Sequence, residues 1–127
     1  MTKQIIHTDA APSSPLYSQA VRVGSTLYVA GTAGIDVATK QLAGATIQEQ
    51  TKQALRNCKT IVEAGGGTLA DVAQVTVLLA NPADFAGMNE EYARVFATQP
   101  PVRAVAKLGV EIPNLLVSIM MTAHIDG

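Results

Sequence analysis

Apolar positions recur along this chain with two periods, and the clearest helical period follows Thr46. From Ile47 to Val62, apolar and small side chains fall three and four residues apart, which predicts an amphipathic helix. Thr46 and Glu49 have capping-box spacing at its start, and Gly65-Gly66-Gly67 ends it. The predicted buried stripe consists of Ile47, Thr51, Ala54, Leu55, Cys58, Ile61 and Val62.

A second helix is predicted after Asn81-Pro82, because asparagine is a good N-cap and proline is tolerated in the first turn. We expect this helix to run to about Ala97 and the region to end at Pro100-Pro101. Four of its residues lie at helical spacing and are expected to face inward: Phe85, Met88, Tyr92 and Phe96.

β-prone runs account for most of the remaining chain. Val72 to Leu79 is the clearest, since Val75 and Val77 alternate with more polar neighbours. Gly24-Ser25 separates two earlier runs as a two-residue hairpin turn. The predicted strands cover residues 3–6, 19–23, 26–30, 72–79, 102–108 and 115–123, and the predicted loops cover residues 10–15 and 31–45.

The element order β-β-β-α-β-α-β-β indicates a single α+β domain over residues 1–127, in which two helices cover one face of a mixed sheet. The other face also needs a cover, and in so short a chain the natural cover is the same sheet from another copy. A mean hydropathy of +0.23 with 15% charged residues agrees, because few charges are available to solvate the surface.

Composition excludes several function classes. The net charge is −1 without any run of Lys or Arg, so the electrostatic footprint of nucleic-acid binding is missing. Cys58 is the only cysteine, so no intrachain disulfide can form. The longest apolar stretch, residues 115–121, is too short to span a bilayer, and the N-terminal residues lack the apolar core of a signal peptide. We expect a cytoplasmic protein without nucleic-acid or membrane partners.

Residue types alone indicate little chemistry. Motifs such as CxxC, HExxH, the Walker loop and GxSxG are missing. His7 and His124 lie near opposite ends without a second ligand at metal spacing, so both are interpreted as solvent-facing. Cys58 lies on the apolar stripe and is interpreted as a buried small hydrophobe rather than a nucleophile.

Arg103 is the most informative single charge. It lies in the neutral stretch Pro100 to Ala106, and a partly buried arginine needs a carboxylate, a phosphate or a polar cage. Its planar guanidinium matches a carboxylate through two parallel hydrogen bonds. The residues leave two interpretations open: a ligand-binding arginine, or an edge-strand arginine in a structural ion pair. Tyr17 is likewise open between packing and lining a pocket.

A set of segments follows one another in the order of a known family. They are Pro15-Leu16-Tyr17-Ser18-Gln19-Ala20-Val21, Leu27-Tyr28-Val29-Ala30-Gly31-Thr32, Glu49 to Asn57, Leu69-Ala70-Asp71-Val72, Asp84 to Tyr92 and Pro101-Val102-Arg103. Through these segments the chain resembles the RidA (YjgF) family of reactive-imine deaminases over about residues 10–125, with one extra leucine before Tyr17. Some members of that family carry the label endoribonuclease.

The resemblance implies a chorismate-mutase-like fold and a homotrimer around a central barrel, with ligand clefts between neighbouring subunits. It implies hydrolysis of imine and enamine intermediates to a 2-oxo acid and ammonia, without a cofactor or metal. Carried over by position, Arg103 binds the ligand carboxylate, Tyr17 and Asn89 line the cleft, and Gly31 lets the backbone approach the ligand.

Three positions depart from the family pattern. Ala30 replaces a pocket serine and loses its hydroxyl contact. Val105 replaces a cysteine whose thiol the reaction does not need, since the backbone carbonyl there helps to hold the water. Ser118 replaces the glutamate that positions the attacking water. That alignment needs a one-residue deletion after Pro113, and a shift by one would place Ile119 there instead.

The change at Ser118 leaves two functions in competition. The preferred one is an imine deaminase with weakened or re-specialised activity, in which Arg103 still orients the substrate, because a general acid/base contributes only about 10²–10⁴-fold. The alternative is a non-catalytic trimeric binder of small carboxylates or carbonyl compounds. Glu111, close to the turn before the last strand, is a disfavoured candidate to replace the missing carboxylate. An endoribonuclease is disfavoured because paired histidines, a basic groove and base-stacking aromatics are missing.

Overall fold

In the computed structural model, which describes residues 2–126, six strands form one mixed sheet and two more form a small hairpin. Across the sheet the strand order is β1-β2-β3-β8-β6-β7; β6 and β7 pair in parallel and the other neighbours are antiparallel. The strands are β1 (Lys3–Ile6), β2 (Ala20–Val23), β3 (Thr26–Ala33), β4 (Ile35–Asp36), β5 (Gln41–Leu42), β6 (Val72–Leu79), β7 (Val102–Lys107) and β8 (Val117–His124).

The first helix, α1 (Ile47–Ala64), forms as predicted. The Thr46 hydroxyl accepts a hydrogen bond from the Glu49 amide at 3.1 Å, and the Glu49 carboxylate accepts one from the Thr46 amide at 3.2 Å. This reciprocal cap satisfies two amides that would otherwise lack partners. Every residue of the predicted stripe is buried against the sheet, which confirms the helical period.

The second helix, α2 (Phe85–Val95), follows a short 3-10 turn, Pro82–Asp84, that Asn81 caps by accepting from the Ala83 amide at 3.0 Å. It ends at Val95, two residues before the predicted end. The inward orientation expected of Phe85 is wrong, since its side chain is 45% exposed. Phe85 lies in the first turn beside β7, and β7 is the last strand of the sheet, so no further strand covers it there.

The predicted loop over residues 31–45 is also wrong in part. β3 continues to Ala33, and residues 35–42 contain the β4–β5 hairpin. Asn57 of α1 makes this possible, because its buried amide donates to the Ala33 carbonyl at 3.0 Å and the Ile35 carbonyl at 2.8 Å. A side chain on a helix thus supplies hydrogen bonds that the local sequence does not reveal. The other strand ends agree with prediction to within two residues, and those of β1 and β6 agree fully.

Much of the face of the sheet opposite the helices is left open to solvent by residues 2–126. A row of paired residues crosses this face from Ile5 through Val21, Tyr28, Thr122 and Gln74 to Val102. Three large apolar side chains on it are widely exposed: Ile5 at 53%, Tyr28 at 52% and Val102 at 69%.

Within residues 2–126, no helix combines the length and apolar character needed to cross a membrane.

Candidate functional site

A cavity of about 250 Å³ lies where the end of β3 meets the start of β8. Four of the site residues predicted from the sequence line it: Tyr17, Ala30, Gly31 and Ser118. The rest of its wall consists of Pro12, Ser13, Gln19, Thr32, Ala33, Ile35, Ile61, Ile112 and Leu115. Tyr17 is 56% exposed, so it lines the pocket rather than packing in the core.

A β-bulge in β3 shapes the floor of this cavity. Between Val29 and Thr32 the register against β8 shifts, so that Ala30 and Gly31 together lie opposite Met120. The Ala30 amide donates to the Gln19 carbonyl at 2.9 Å, and the Ala30 carbonyl accepts from the Thr32 hydroxyl at 2.7 Å. Both backbone groups of Ala30 are therefore occupied, and Gly31 presents its backbone to the cavity without a side chain in the way.

Ser118 points into the cavity because its neighbours point the other way. Val117 and Ile119 are fully buried toward the helices, so the side chain between them faces the opposite side of the sheet. A Cβ atom added to Gly31 would lie 2.9 Å from Ser118 Oγ. Ile119, the alternative position for the missing glutamate, is buried in the core. Glu111 is exposed and is not part of the cavity wall.

Two buried glutamines that the sequence analysis missed hold the loops around the cavity. Gln19 donates from Nε2 to the carbonyls of Thr8, Ala11 and Pro12 at 3.0, 3.1 and 2.9 Å, and its Oε1 accepts from the Thr8 amide at 2.8 Å. One side chain thereby contacts four backbone groups, two of Thr8 and one each of Ala11 and Pro12, and so holds the proline-rich loop. This loop carries Pro12 and Ser13 into the cavity wall.

Gln50 holds the segment before β8 in place through hydrogen bonds from its side chain to backbone groups. Its Oε1 accepts from the Leu116 amide, and its Nε2 donates to the carbonyls of Asn114 and Gly44, each at 2.9 Å. Gln50 is fully buried on α1. A signal was available in the sequence, because Gln50 falls three residues after Ile47 and four before Ala54, at a position of the apolar stripe.

Arg103 lies in a second group of residues, between β7 and α2. One guanidinium nitrogen donates to Asn89 Oδ1 at 2.8 Å, and the guanidinium carbon lies 4.7 Å from the ring centre of Tyr92 and 5.8 Å from that of Phe85. Cation–π contacts of this kind contribute about 0.5–2 kcal/mol each. No carboxylate of residues 2–126 lies within 4.0 Å of it, so the interpretation as a structural ion pair is wrong for the single chain.

The aromatic part of this group is a further feature that the sequence analysis missed. Phe85, Asn89 and Tyr92 stand four and three residues apart, so they share one face of α2 beside Arg103. Burial raises the pKa of the Tyr92 phenol, and the positive charge of Arg103 opposes that rise. Tyr92 therefore stays neutral at physiological pH and offers Arg103 an uncharged ring face. The guanidinium is exposed, with donors facing solvent for an incoming anion.

The two groups do not meet within one chain. Arg103 pairs with the fully buried Val75 and so faces the helices, as does Val105 two residues later, whereas Gly31 and Ser118 face the opposite side. β8 and β6 lie between β3 and β7, which separates the two strands by about 14 Å at usual strand spacing. The structure thus gathers Tyr17, Ala30, Gly31 and Ser118 in one place and Asn89, Arg103 and Val105 in another.

The remaining reactive side chains stay outside both groups. His7 is exposed, with Nε2 at 3.0 Å from Asp9 Oδ1, and His124 is exposed on β8, as predicted. Cys58 is fully buried, and burial raises the pKa of its thiol to about 12 despite an opposing hydrogen bond with Thr32. A thiol with that pKa is not a nucleophile at neutral pH, which confirms the packing role predicted for Cys58.

Comparison with known proteins agrees with this architecture. The family model described as endoribonuclease L-PSP matches residues 8–125. A RutC family protein of Pyrococcus abyssi is 38% identical over 126 residues, covering 98% of each chain. A 2-iminobutanoate/2-iminopropanoate deaminase of Capra hircus is 40% identical over 105 residues, which cover 82% of this chain and 77% of that one.

Solved structures give the same result for the fold. The crystal structure of RidA from an Antarctic Psychrobacter species superimposes with a TM-score of 0.90 at 36% identity. The match covers 96% of this chain and 99% of that one. The α+β fold with two helices and a mixed sheet, predicted from the element order, is therefore confirmed.

Proposed function

Because the chain belongs to the RidA family, whose family model is described as endoribonuclease L-PSP, we propose that it hydrolyses small 2-imino acids to 2-oxo acids and ammonia. Two relatives, one of them the Capra hircus protein described above, are named 2-iminobutanoate/2-iminopropanoate deaminase. The observation that carries the proposal is the exposed guanidinium of Arg103, held by Asn89 and by two aromatic rings without a carboxylate partner in residues 2–126.

In this proposal Arg103 binds the carboxylate of the substrate. Asn89 occupies one N–H of the guanidinium and the rings of Tyr92 and Phe85 fix its plane, so its orientation is set before the ligand arrives. A fixed guanidinium can hold a carboxylate through two parallel hydrogen bonds and so present the adjacent imine carbon in one orientation.

We propose that a complete site forms between two copies of the chain within a homotrimer. Arg103, Asn89 and Val105 would come from one copy, and Tyr17, Ala30, Gly31 and Ser118 from its neighbour. Two observations support this. The groups lie on opposite faces of the sheet in one chain, and the uncovered face exposes apolar side chains such as Ile5 and Tyr28 that need a cover. The number three is the one that the resemblance to the RidA family implies.

The reaction needs water at the imine carbon. Water adds to the C=N carbon and one of its protons passes to nitrogen, which gives a carbinolamine. The hydroxyl proton of the carbinolamine then passes to the same nitrogen, and ammonia leaves as the C=O bond forms. Ser118 Oγ lies in the cavity where it can hold this water by a hydrogen bond, and a backbone carbonyl at Val105 is the second proposed contact. A serine is a poor base, so we expect a slower reaction than a carboxylate would support.

A non-catalytic binder remains the second candidate, and the specific observation that favours it is Ser118 itself. The cavity wall contains no carboxylate side chain, because Glu111 lies outside it. A trimer with these groups would bind small 2-oxo acids through Arg103 without turning over imines. The endoribonuclease activity that the family description names has less support, since neither His7 nor His124 lines the cavity.

The test is the rate of 2-iminopropanoate hydrolysis, with the imine generated in situ by an amino-acid oxidase and competed against semicarbazide. The proposal predicts acceleration by the wild type, loss of acceleration in Arg103→Ala, and no change in Arg56→Ala. Arg56 is a suitable control because it is exposed on α1, outside both groups of site residues. No acceleration by a protein that still binds pyruvate through Arg103 would assign it to the binder class.

A further inference from the structure

An apolar cavity of about 420 Å³ lies next to Arg103, along the groove between β7 and the start of α2. Leu79, Pro82, Phe85, Val105, Ala106 and Lys107 line it. Phe85 forms a wall of this cavity and also contacts the Arg103 guanidinium, with 5.8 Å between ring centre and guanidinium carbon. Val105 lies two residues beyond Arg103 on the same side of β7. The cavity therefore adjoins the proposed carboxylate site through Phe85.

We propose that this cavity binds the side chain of the substrate, and that the preferred substrates are 2-imino acids with branched aliphatic or aromatic side chains. The inference rests on the proposed function, because it assumes a carboxylate at Arg103. A ligand anchored there would direct its other end along β7 toward Val105. A cavity of this volume lies in the range of small-ligand sites and is much larger than the methyl group of 2-iminopropanoate needs.

The chemistry of the wall decides between an apolar and a charged side chain. Apolar residues make up most of the wall: Leu79, Pro82, Phe85, Val105 and Ala106. The one ionisable group in the wall, Lys107, stands four residues beyond Arg103, which is about 13 Å along an extended strand. A side chain of four to seven carbons fills the apolar part without reaching the ammonium, whereas a short acidic side chain would leave its carboxylate among apolar groups.

The experiment compares the binding of three 2-oxo acids that share the same carboxylate and carbonyl: pyruvate, 4-methyl-2-oxopentanoate and 2-oxoglutarate. We expect 4-methyl-2-oxopentanoate to bind at least about tenfold more tightly than pyruvate, since each buried methylene contributes several-fold. Because the shared groups cancel, the ratio of the two Kd values reports the side-chain cavity alone. Phenylpyruvate should also bind more tightly than pyruvate.

Filling the cavity provides the matched test. Val105→Phe should lower the ratio of pyruvate Kd to 4-methyl-2-oxopentanoate Kd toward one. Val95→Phe, the same change at a partly exposed valine between the helices, should leave the ratio as in the wild type. Ala106→Phe, at the exposed rim of the same cavity, gives an independent filling variant if Val105→Phe does not fold.

Each contrary outcome has a distinct meaning. A wild-type ratio near one, with Arg103-dependent binding of pyruvate, would overturn this inference and leave the proposed function standing. Tighter binding of 2-oxoglutarate than of 4-methyl-2-oxopentanoate, lost in Lys107→Met, would also overturn it in favour of an acidic side chain. Failure of all these acids to bind would overturn the proposed function together with the inference.

Discussion

Gly31 and Ser118 face each other across the paired strands β3 and β8, so closely that a methyl group on Gly31 would lie 2.9 Å from Ser118 Oγ. The β-bulge places Ala30 and Gly31 together opposite Met120, so Gly31 lies diagonally across from Ser118, whose own partner is Ala33. In the proposed reaction, this pair therefore sets the space available for the substrate and for its attacking water.

Replacing Gly31 by alanine should close this space. We expect Gly31→Ala to lower kcat/KM for 2-iminopropanoate by about tenfold or more, because a displacement of about 1 Å at a reacting centre can cost up to 10²-fold. Gly109→Ala is the matched control, since a methyl group at Gly109 would contact nothing within 4 Å. Wild-type kinetics in Gly31→Ala would show that the bulge does not bound the site.

Restoring a carboxylate at Ser118 should raise the deaminase rate. A positioned general acid/base contributes about 10²–10⁴-fold, so Ser118→Glu is expected to gain up to that factor and to acquire a new pH dependence in kcat/KM. Ser118→Gln has the same shape without a titratable group and should show no such gain. Equal rates in the Glu and Gln variants would remove Ser118 from the water-binding role.

Gln50 is predicted to stabilise the wall of the cavity from a distance. Gln50→Met removes three hydrogen bonds to backbone groups of residues 44, 114 and 116. At about 1 kcal/mol for each bond, the free energy of unfolding should fall by about 2–4 kcal/mol. Urea unfolding measures this fall, and hydrogen exchange should accelerate at residues 110–116. Gln48→Met, which breaks one exposed contact with Glu90, should change stability by less than about 0.5 kcal/mol.

Cys58 should make stability depend on pH above 9. Burial raises its pKa from 9.0 to about 12, so the folded thiol keeps its proton where the unfolded thiol ionises. The contribution is complete below pH 9 and is lost toward pH 12, by about 1.4 kcal/mol for each pH unit. The measurement is the unfolding free energy of wild type and Cys58→Ala at pH 8 and pH 10.5. Parallel pH profiles for the two proteins would contradict burial of the thiol.

Much of the fold could be predicted because the signals are local. The cap formed by Thr46 and Glu49 and the stripe of α1 depend on residues within one turn of each other, and alternation around Val75 marks β6 without further information. The bulge at Gly31 could not be predicted, because it exists only relative to β8, which begins at Val117 far along the chain.

The sequence suggested the candidate residues but not their arrangement. The neutral surroundings of Arg103 left a ligand-binding arginine and a structural ion pair both open, and its contacts with Asn89 and Tyr92 form across the groove between a strand and a helix. Phe85 was misplaced because helical spacing alone does not show that the first turn of α2 lies at the edge of the sheet. That the seven site residues form two groups on opposite faces follows from strand order, which the local pattern does not determine.

In the proposed homotrimer, each site joins Arg103 of one copy to Gly31 and Ser118 of another. The most direct measurement is 2-iminopropanoate hydrolysis by mixed trimers of two inactive variants, Arg103→Ala and Gly31→Val, with mixing verified by native mass spectrometry. Random mixing in equal amounts makes about one cleft in four intact on both sides, so we expect about a quarter of wild-type activity. Mixed trimers no more active than the separate variants would contradict a site shared between copies.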